Sequence, residues 1–301
     1  MPQAQAATHA SLAGVLIEAG RHETAAVHLK KACDLGKEIG DRRTLCRARE
    51  HLGLYHFLYG DLRSALHITQ MGLEDAQAIN NLPAMANNLR LLARIYYRAG
   101  QQEDARPVLE RALALYRETT DVLGSALAHL FLARQLIAEG SSLRAGQQLQ
   151  AASEQSASHP SPLLRGLEKL VRAEFMLATE QSLDAQLAEG AAQIFRDCEY
   201  RRELCDVELL RARAALQESD VEKAEPILER LTSLLEKPGS KEQKAERSFL
   251  AAIALAKGGR SGEALAQLES LGSAAKRDVF PALAKRCGET TEELSEQVQL
   301  A

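Results

Sequence analysis

Tryptophan is absent from this 301-residue chain, and tyrosine and phenylalanine contribute six residues each, so aromatics make up only 4% of it. A core so poor in rings has to be filled by aliphatic side chains and close backbone approach. β-branched runs of period two, the mark of strands, are missing. No apolar stretch approaches the roughly 18 residues that cross a bilayer. The opening "MPQAQAATHA" has neither the basic start nor the apolar centre of a secretion signal. A cytoplasmic location is expected from these absences.

The five cysteines (Cys33, Cys46, Cys198, Cys205 and Cys287) are odd in number, contain no CxxC pair and match no zinc spacing. Buried, reduced thiols are the expectation. Histidines 9, 22, 28, 51, 56, 67, 129 and 159 never combine with a carboxylate and a third ligand at metal-binding spacing, and His51 and His56, five residues apart, point to different helix faces. Phosphate-binding loops, GxSxG and GxGxxG are all missing. The sequence therefore predicts no catalytic residue, no metal, no cofactor and no enzyme. Charge is close to balanced. Residues 1–150 hold 17 Lys+Arg against 15 Asp+Glu (+2), and residues 151–301 hold 20 against 26 (−6), summing to the net −4. Neither half has the basic excess of a nucleic-acid-binding domain, so neither nucleic acid nor membrane is expected as a partner.

What the chain does have is alanine, leucine and a period. Overall it is 46% hydrophobic and 26% charged, and the abundance of alanine and leucine favours close-packed helices. The segments "LIEAGRHETA" (16–25), "YYRAGQQEDA" (96–105), "LIAEGSSLRA" (136–145) and "LAKGGRSGEA" (255–264) repeat one another. Their last alanines belong to a series, Ala25, Ala65, Ala105, Ala145, Ala185, Ala224 and Ala264, spaced by 40, 40, 40, 40, 39 and 40 residues. Such a period marks a solenoid. Twelve residues before each of these alanines stands a small residue: Ala13, Gly53, Ala93, Ala133, Ala173, Ala212 and Ala252. Five residues before them come Gly20, Gly60, Gly100 and Gly140, then Glu180, Ser219 and Gly259, a column that reads as the C-terminal stop of one helix before the next begins. The spacing thus predicts all-α architecture: about seven helix-turn-helix repeats over residues 1–275, then capping helices over 276–301 with Thr290 or Thr291 as an N-cap.

The order "HLGLYHFLYGDLRSAL" (51–66) and "LARIYYRAGQQEDARPVLERALALY" (92–116) resembles the tetratricopeptide repeat, across roughly residues 6–275. That resemblance implies a right-handed superhelix with a concave binding groove. Two departures stand out: the period is 40 rather than about 34 residues, and the closing proline is missing from most copies. The longer period is similar to the extended variety found in bacterial signalling ATPases, peptide-sensing regulators and polarity adaptors. In the fifth repeat Arg172 and Glu189 stand at normally apolar columns, and "SASHPSP" (156–162) breaks the helical pattern. A bend or contact surface near residues 155–205 is expected there.

Arg90, Arg94 and Arg98 form a stripe at four-residue spacing on one helix, and Arg134 and Arg213 share the column of Arg94. In the family that column lines the groove, with Arg47, Glu50, Phe57, Asn87, Tyr97 and Leu130 nearby. Planar guanidinium groups grip carboxylates bidentately, so the expected partner is an acidic peptide or protein face, held by Arg90, Arg94, Arg98, Arg134, Asn87, Tyr97, Arg47 and Phe57. The competing expectation is internal pairing with Glu50 or Glu174. Tyr55 and Tyr59 are expected on one packed face. Ala10 and Gly14 occupy the positions of the lysine/asparagine clamp that holds chaperone tails in this family, so that mode is excluded. A scaffold or adaptor is the resulting expectation. The alternative is a sensor or regulatory segment of a larger bacterial signalling or transcription-regulating protein, binding a signalling peptide or small effector. The N-terminal repeat has no polar cap, which leaves self-association through that end open.

Overall fold

The computed structural model describes residues 2–18, 21–59, 61–157, 159–180, 182–236, 240–277 and 280–300. Among them are fifteen helices and no strand. They are α1 (Pro2–Glu18), α2 (His22–Glu38), α3 (Arg42–Leu58), α4 (Leu62–Ala78), α5 (Leu82–Arg98), α6 (Gln102–Glu118), α7 (Val122–Ala138) and α8 (Ser142–Ser156). There follow α9 (Pro162–Glu180), α10 (Ala185–Asp197), α11 (Arg201–Gln217), α12 (Val221–Leu235), α13 (Lys241–Lys257), α14 (Ser261–Arg277) and α15 (Pro281–Leu300). Gly20, Gly60 and the side chains of His22 and Glu180 lie outside the described residues.

The 40-residue period divides into two halves of 20. From α2 to α7 each helix has 17 residues and the next begins after a three-residue turn. Two devices end one helix and start the next. Gly100 (φ 78°), Gly140 (φ 73°) and Gly259 (φ 81°) adopt the left-handed conformation expected of the glycine column, and Ser219 (φ 60°) takes it in their place. The turns between repeats use the same geometry at Gly40, Asn80, Thr120 and Glu199. One residue later an N-cap side chain takes over. Asp41, Asp61, Asn81, Asp121 and Asp220 each accept from backbone amides of the following first turn.

Helices pack as consecutive hairpins, α1 with α2 through α13 with α14, and α15 closes the array against α14. Each first helix also touches the next first helix: α1–α3, α3–α5, α5–α7, α7–α9, α9–α11, α11–α13 and α13–α15. No comparable contact joins successive second helices among the described residues. Close inner helices and splayed outer ones curve the stack, with the first helices on the concave side. Alanines at the contact columns permit the approach: Ala13, Ala93, Ala133, Ala173, Ala212 and Ala252 are fully buried, as are Ala25, Ala65, Ala105, Ala145, Ala224 and Ala264.

Ala185 breaks the series. It is exposed, at the first turn of α10, while Ala188 is fully buried. Every other second helix starts three residues before its buried alanine; α10 starts at Ala185 itself, because α9 runs two residues longer than the 17 of the other first helices and four residues rather than three follow it, which shifts the register by three. Ala188 therefore replaces Ala185 at the contact, and Ala192 fills the leucine position that the unshifted register gave to Glu189. Glu189 pairs instead with Arg196 and, at 2.6 Å, with Arg211. Arg172 is likewise surface-paired, to Glu168 at 3.1 Å. The helical pattern does break at "SASHPSP", where α8 ends at Ser156 and α9 begins at Pro162.

Two further expectations need correction. Thr290 and Thr291 are not N-caps: α15 starts at Pro281, and the Thr291 hydroxyl donates to the Cys287 carbonyl at 2.7 Å. Cys198 is exposed at the end of α10, whereas Cys33, Cys46, Cys205 and Cys287 are buried and reduced as expected.

Candidate binding groove

The wall formed by α3 and α5 begins with a hydrogen-bonded set. Tyr116 of α6 is 1% exposed, and its hydroxyl donates to Asn87 Oδ1 at 2.8 Å while accepting from Arg90 Nε at 3.0 Å. Gly124 makes room for the ring, since a Cβ there would lie 2.3 Å from it. Glu50 faces the same group. Burial raises its carboxyl to about 7, although Arg90, the Asn87 side chain and Arg47 all favour the charged form. Arg47 itself is exposed and donates to Ser11 Oγ at 3.1 Å.

One turn further along α5, two guanidinium groups share a ring. Arg98 lies 3.7 Å and Arg94 4.6 Å from the centroid of Phe57, and Arg94 is also 6.0 Å from that of Phe131. Phe57 is 3% exposed and packs with Leu58, Leu62, Leu91 and Ile95. It is thus a platform beneath the arginines rather than a free anchor. Arg98 donates to the Phe57 carbonyl at 2.5 Å and pairs with Glu242 of α13, 144 positions away, so the array curls until its third repeat meets its seventh. Its guanidinium lies 5.8 Å from the Phe280 ring, and Gly100 lies against Pro281 beside it. Arg94 has no hydrogen bond or ion pair among the described residues. Burial, reinforced by Arg202, Arg90 and Arg98, holds it well below the usual arginine range, with Glu242 opposing.

Carboxylates across the groove neutralise the remaining cations. Arg134 meets Glu174 at 2.6 Å and Asp206 at 3.5 Å. Burial pulls its pKa down, but these two acids outweigh burial and hold it above the usual range. Asp206 also accepts from Gln243 Nε2 at 2.5 Å. Near α15, Glu246 bridges Arg213 at 2.7 Å and Arg286 at 2.9 Å, which overcome burial and keep it ionised.

The structure therefore brings Arg47, Asn87, Arg90, Arg94, Arg98 and Arg134 to the inner layer, and of the expected internal pairs it forms the one with Glu174, while Glu50 makes no ion pair among the described residues. Tyr97 and Leu130 do not join them. Tyr97 is 8% exposed, with its ring edge-on to Phe131 in the seam of α5, α6 and α7. Leu130 is buried against Ala126, Ala133 and Leu164. Tyr55 and Tyr59 do share a face, with centroids 4.6 Å apart. Sequence reasoning missed Arg202, Asp206, Glu242 and Glu246. A signal existed: Arg202 and Glu242 stand 22 residues before Ala224 and Ala264, and Asp206 and Glu246 stand 18 before them, the column of Arg47 and Asn87. The period places such residues on the inner layer but says nothing of which distant repeat they face.

Among the described residues no group of three or more His, Cys, Asp and Glu is arranged to hold a metal. No helix among them is long and apolar enough to cross a membrane. No protein-family model and no curated protein sequence matches the chain. A solved Rap protein, complexed with competence and sporulation factor, is similar to it in fold: the two superpose with a TM-score of 0.63 over 98% of this chain and 99% of that one, at 12% identity. The chain thus has the all-helical repeat fold seen in that Rap protein.

Proposed function

We propose that the chain is a non-catalytic binding module whose concave layer takes an extended acidic peptide or an acidic face of a partner protein. The observation that carries this reading is the cationic wall of α3 and α5, where Arg47, Arg90 and Arg94 are not held by close carboxylates, unlike Arg98 and Arg134. Guanidinium groups fixed by a tyrosine and stacked on phenylalanine are pre-ordered donors, which lowers the entropy cost of gripping a carboxylate. Asn87 orients Arg90 through Tyr116 and is assigned a positioning role.

A second reading, regulation by a signalling peptide or small effector, is favoured by the contact between Arg98 and Glu242. It ties the two ends of the groove together through charges that an anionic ligand competes for. The similarity in fold to a Rap protein complexed with a factor adds support to both readings.

The test is capture by the immobilised full chain of synthetic peptide pools of acidic, neutral and basic composition. Wild type is compared with Arg47→Glu/Arg90→Glu after circular dichroism has shown both folded. Arg134 is left intact, because reversing it would set a carboxylate against Glu174 and Asp206. Acidic pools should be retained by wild type and lost by the variant. Equal retention by both proteins, or preference for basic pools, would contradict the proposal.

A further inference from the structure

Arg94 and Arg202 present the groove with hydrogen-bond donors that no described residue uses. The Arg94 guanidinium lies over Phe57, which covers one face and leaves its N–H edge open. The Nε of Arg202, at the start of α11, is buried without a hydrogen-bond partner. Its one ion pair among the described residues runs from Nη1 to Glu203, its neighbour in sequence, at 3.3 Å. Helix α13 links the two places: Gln243 donates to the Arg202 main-chain carbonyl at 2.8 Å, while its neighbour Glu242 pairs with Arg98, which shares the Phe57 ring with Arg94. Of the charges acting on Arg94, Arg202 is the strongest. Glu242, the acid that opposes this repulsion at Arg94, is taken by Arg98. Two cations brought together away from water repel each other, and an orphaned buried donor adds a desolvation cost. A single oxyanion between them removes both penalties.

We infer that Arg94 and Arg202 are the two sides of an oxyanion seat, in which a carboxylate or phosphate group of the bound segment accepts hydrogen bonds from both guanidinium groups. The inference rests on the groove-binding reading and sharpens it to one charged group at one position. Arg202 enters as a binding residue, and Arg98 leaves the seat, being occupied by Glu242.

The test uses the full chain labelled with 15N-arginine, following side-chain Nε–H resonances by NMR. Arg94 and Arg202 are assigned from the signals lost in Arg94→Gln and Arg202→Gln. Sodium phosphate, sodium acetate and sodium chloride are titrated at matched ionic strength. The expected result is a saturable shift of both resonances with phosphate or acetate and none with chloride, weakened on the order of tenfold in each single variant. Saturation by phosphate alone assigns the seat to a phosphoryl group. Saturation by acetate, with or without phosphate, assigns it to a carboxylate. Shifts that follow ionic strength alike in all three salts, or saturation that survives both substitutions, would overturn the seat. No peptide enters this titration, so its failure leaves the capture experiment to decide the groove reading independently.

Discussion

Arg94 and Arg134 occupy the same column of neighbouring repeats, yet their surroundings give them opposite energetic signs. Arg134 is held by two acids, so Arg134→Met should destabilise the fold by roughly 2–3 kcal/mol, less than for a fully buried pair because the guanidinium is over a third exposed. Arg94 has no such partner, and Arg94→Met keeps its contact with Phe57 while removing a desolvated charge. It should stabilise the free protein by about 1 kcal/mol. Urea titrations of both variants check the pair, and a loss of stability in Arg94→Met would contradict the picture of an unpaired cation.

Glu50 supplies the pH dependence at this scale. Its folded pKa of about 7 lies above the ordinary glutamate value of 4.5, so the folded state holds a proton that the unfolded state releases between those values. Stability from this group is present below about 4.5 and is lost as pH rises to about 7. His51 works in the opposite direction: burial, helped by Arg47, lowers its pKa from 6.5, so stability falls as pH drops below that value. Glu50→Gln should therefore gain stability relative to wild type at pH 8 and match it near pH 4, as read from denaturant midpoints at each pH.

At the scale of elements the decisive units are the 17-residue helix and its three-residue turn. Thr120 holds a left-handed φ of 53° where the equivalent turn has Gly40, and a β-branched residue pays a steric cost there. Thr120→Gly should raise stability by a few tenths of a kcal/mol up to about 1, with a higher thermal midpoint as the readout. Gly124→Ala should cost about 1–3 kcal/mol, because its Cβ would collide with the Tyr116 ring, and the displaced hydroxyl would release Arg90. Most elements were legible, since alanine columns and helix-ending glycines recur at fixed spacing. Alanine is so common that Ala185 sits at the expected place in the series while the buried position falls three residues later, at Ala188. That shift comes from two extra residues in α9 and one in the turn after it, to which a column count is blind.

At the scale of the whole molecule, curvature creates what the repeat pattern cannot express. The stripe Arg90, Arg94 and Arg98 is visible at four-residue spacing, but Glu242 reaches Arg98, and Asp206 reaches Arg134, only because the stack curls. Tyr97 lies beside that stripe in the sequence, which points to the groove, yet its ring enters the seam instead, a choice of helix face that hydrophobic spacing leaves ambiguous for an aromatic. The Arg98–Glu242 pair joins the third repeat to the seventh across this space, so Glu242→Gln should loosen the closure. A larger radius of gyration by small-angle X-ray scattering, with reduced dependence on salt, is the expected outcome.

The central claim is that the first-helix layer, not the outer one, receives an acidic segment. Hydrogen–deuterium exchange of the full chain, with and without a peptide from the retained acidic pool, tests it most directly. Added protection should fall on α3, α5, α7 and α11, leaving α2, α4 and α6 unchanged. Protection confined to those second helices, or to the exposed apolar residues Leu12, Val15 and Val27 of the N-terminal hairpin, would contradict it.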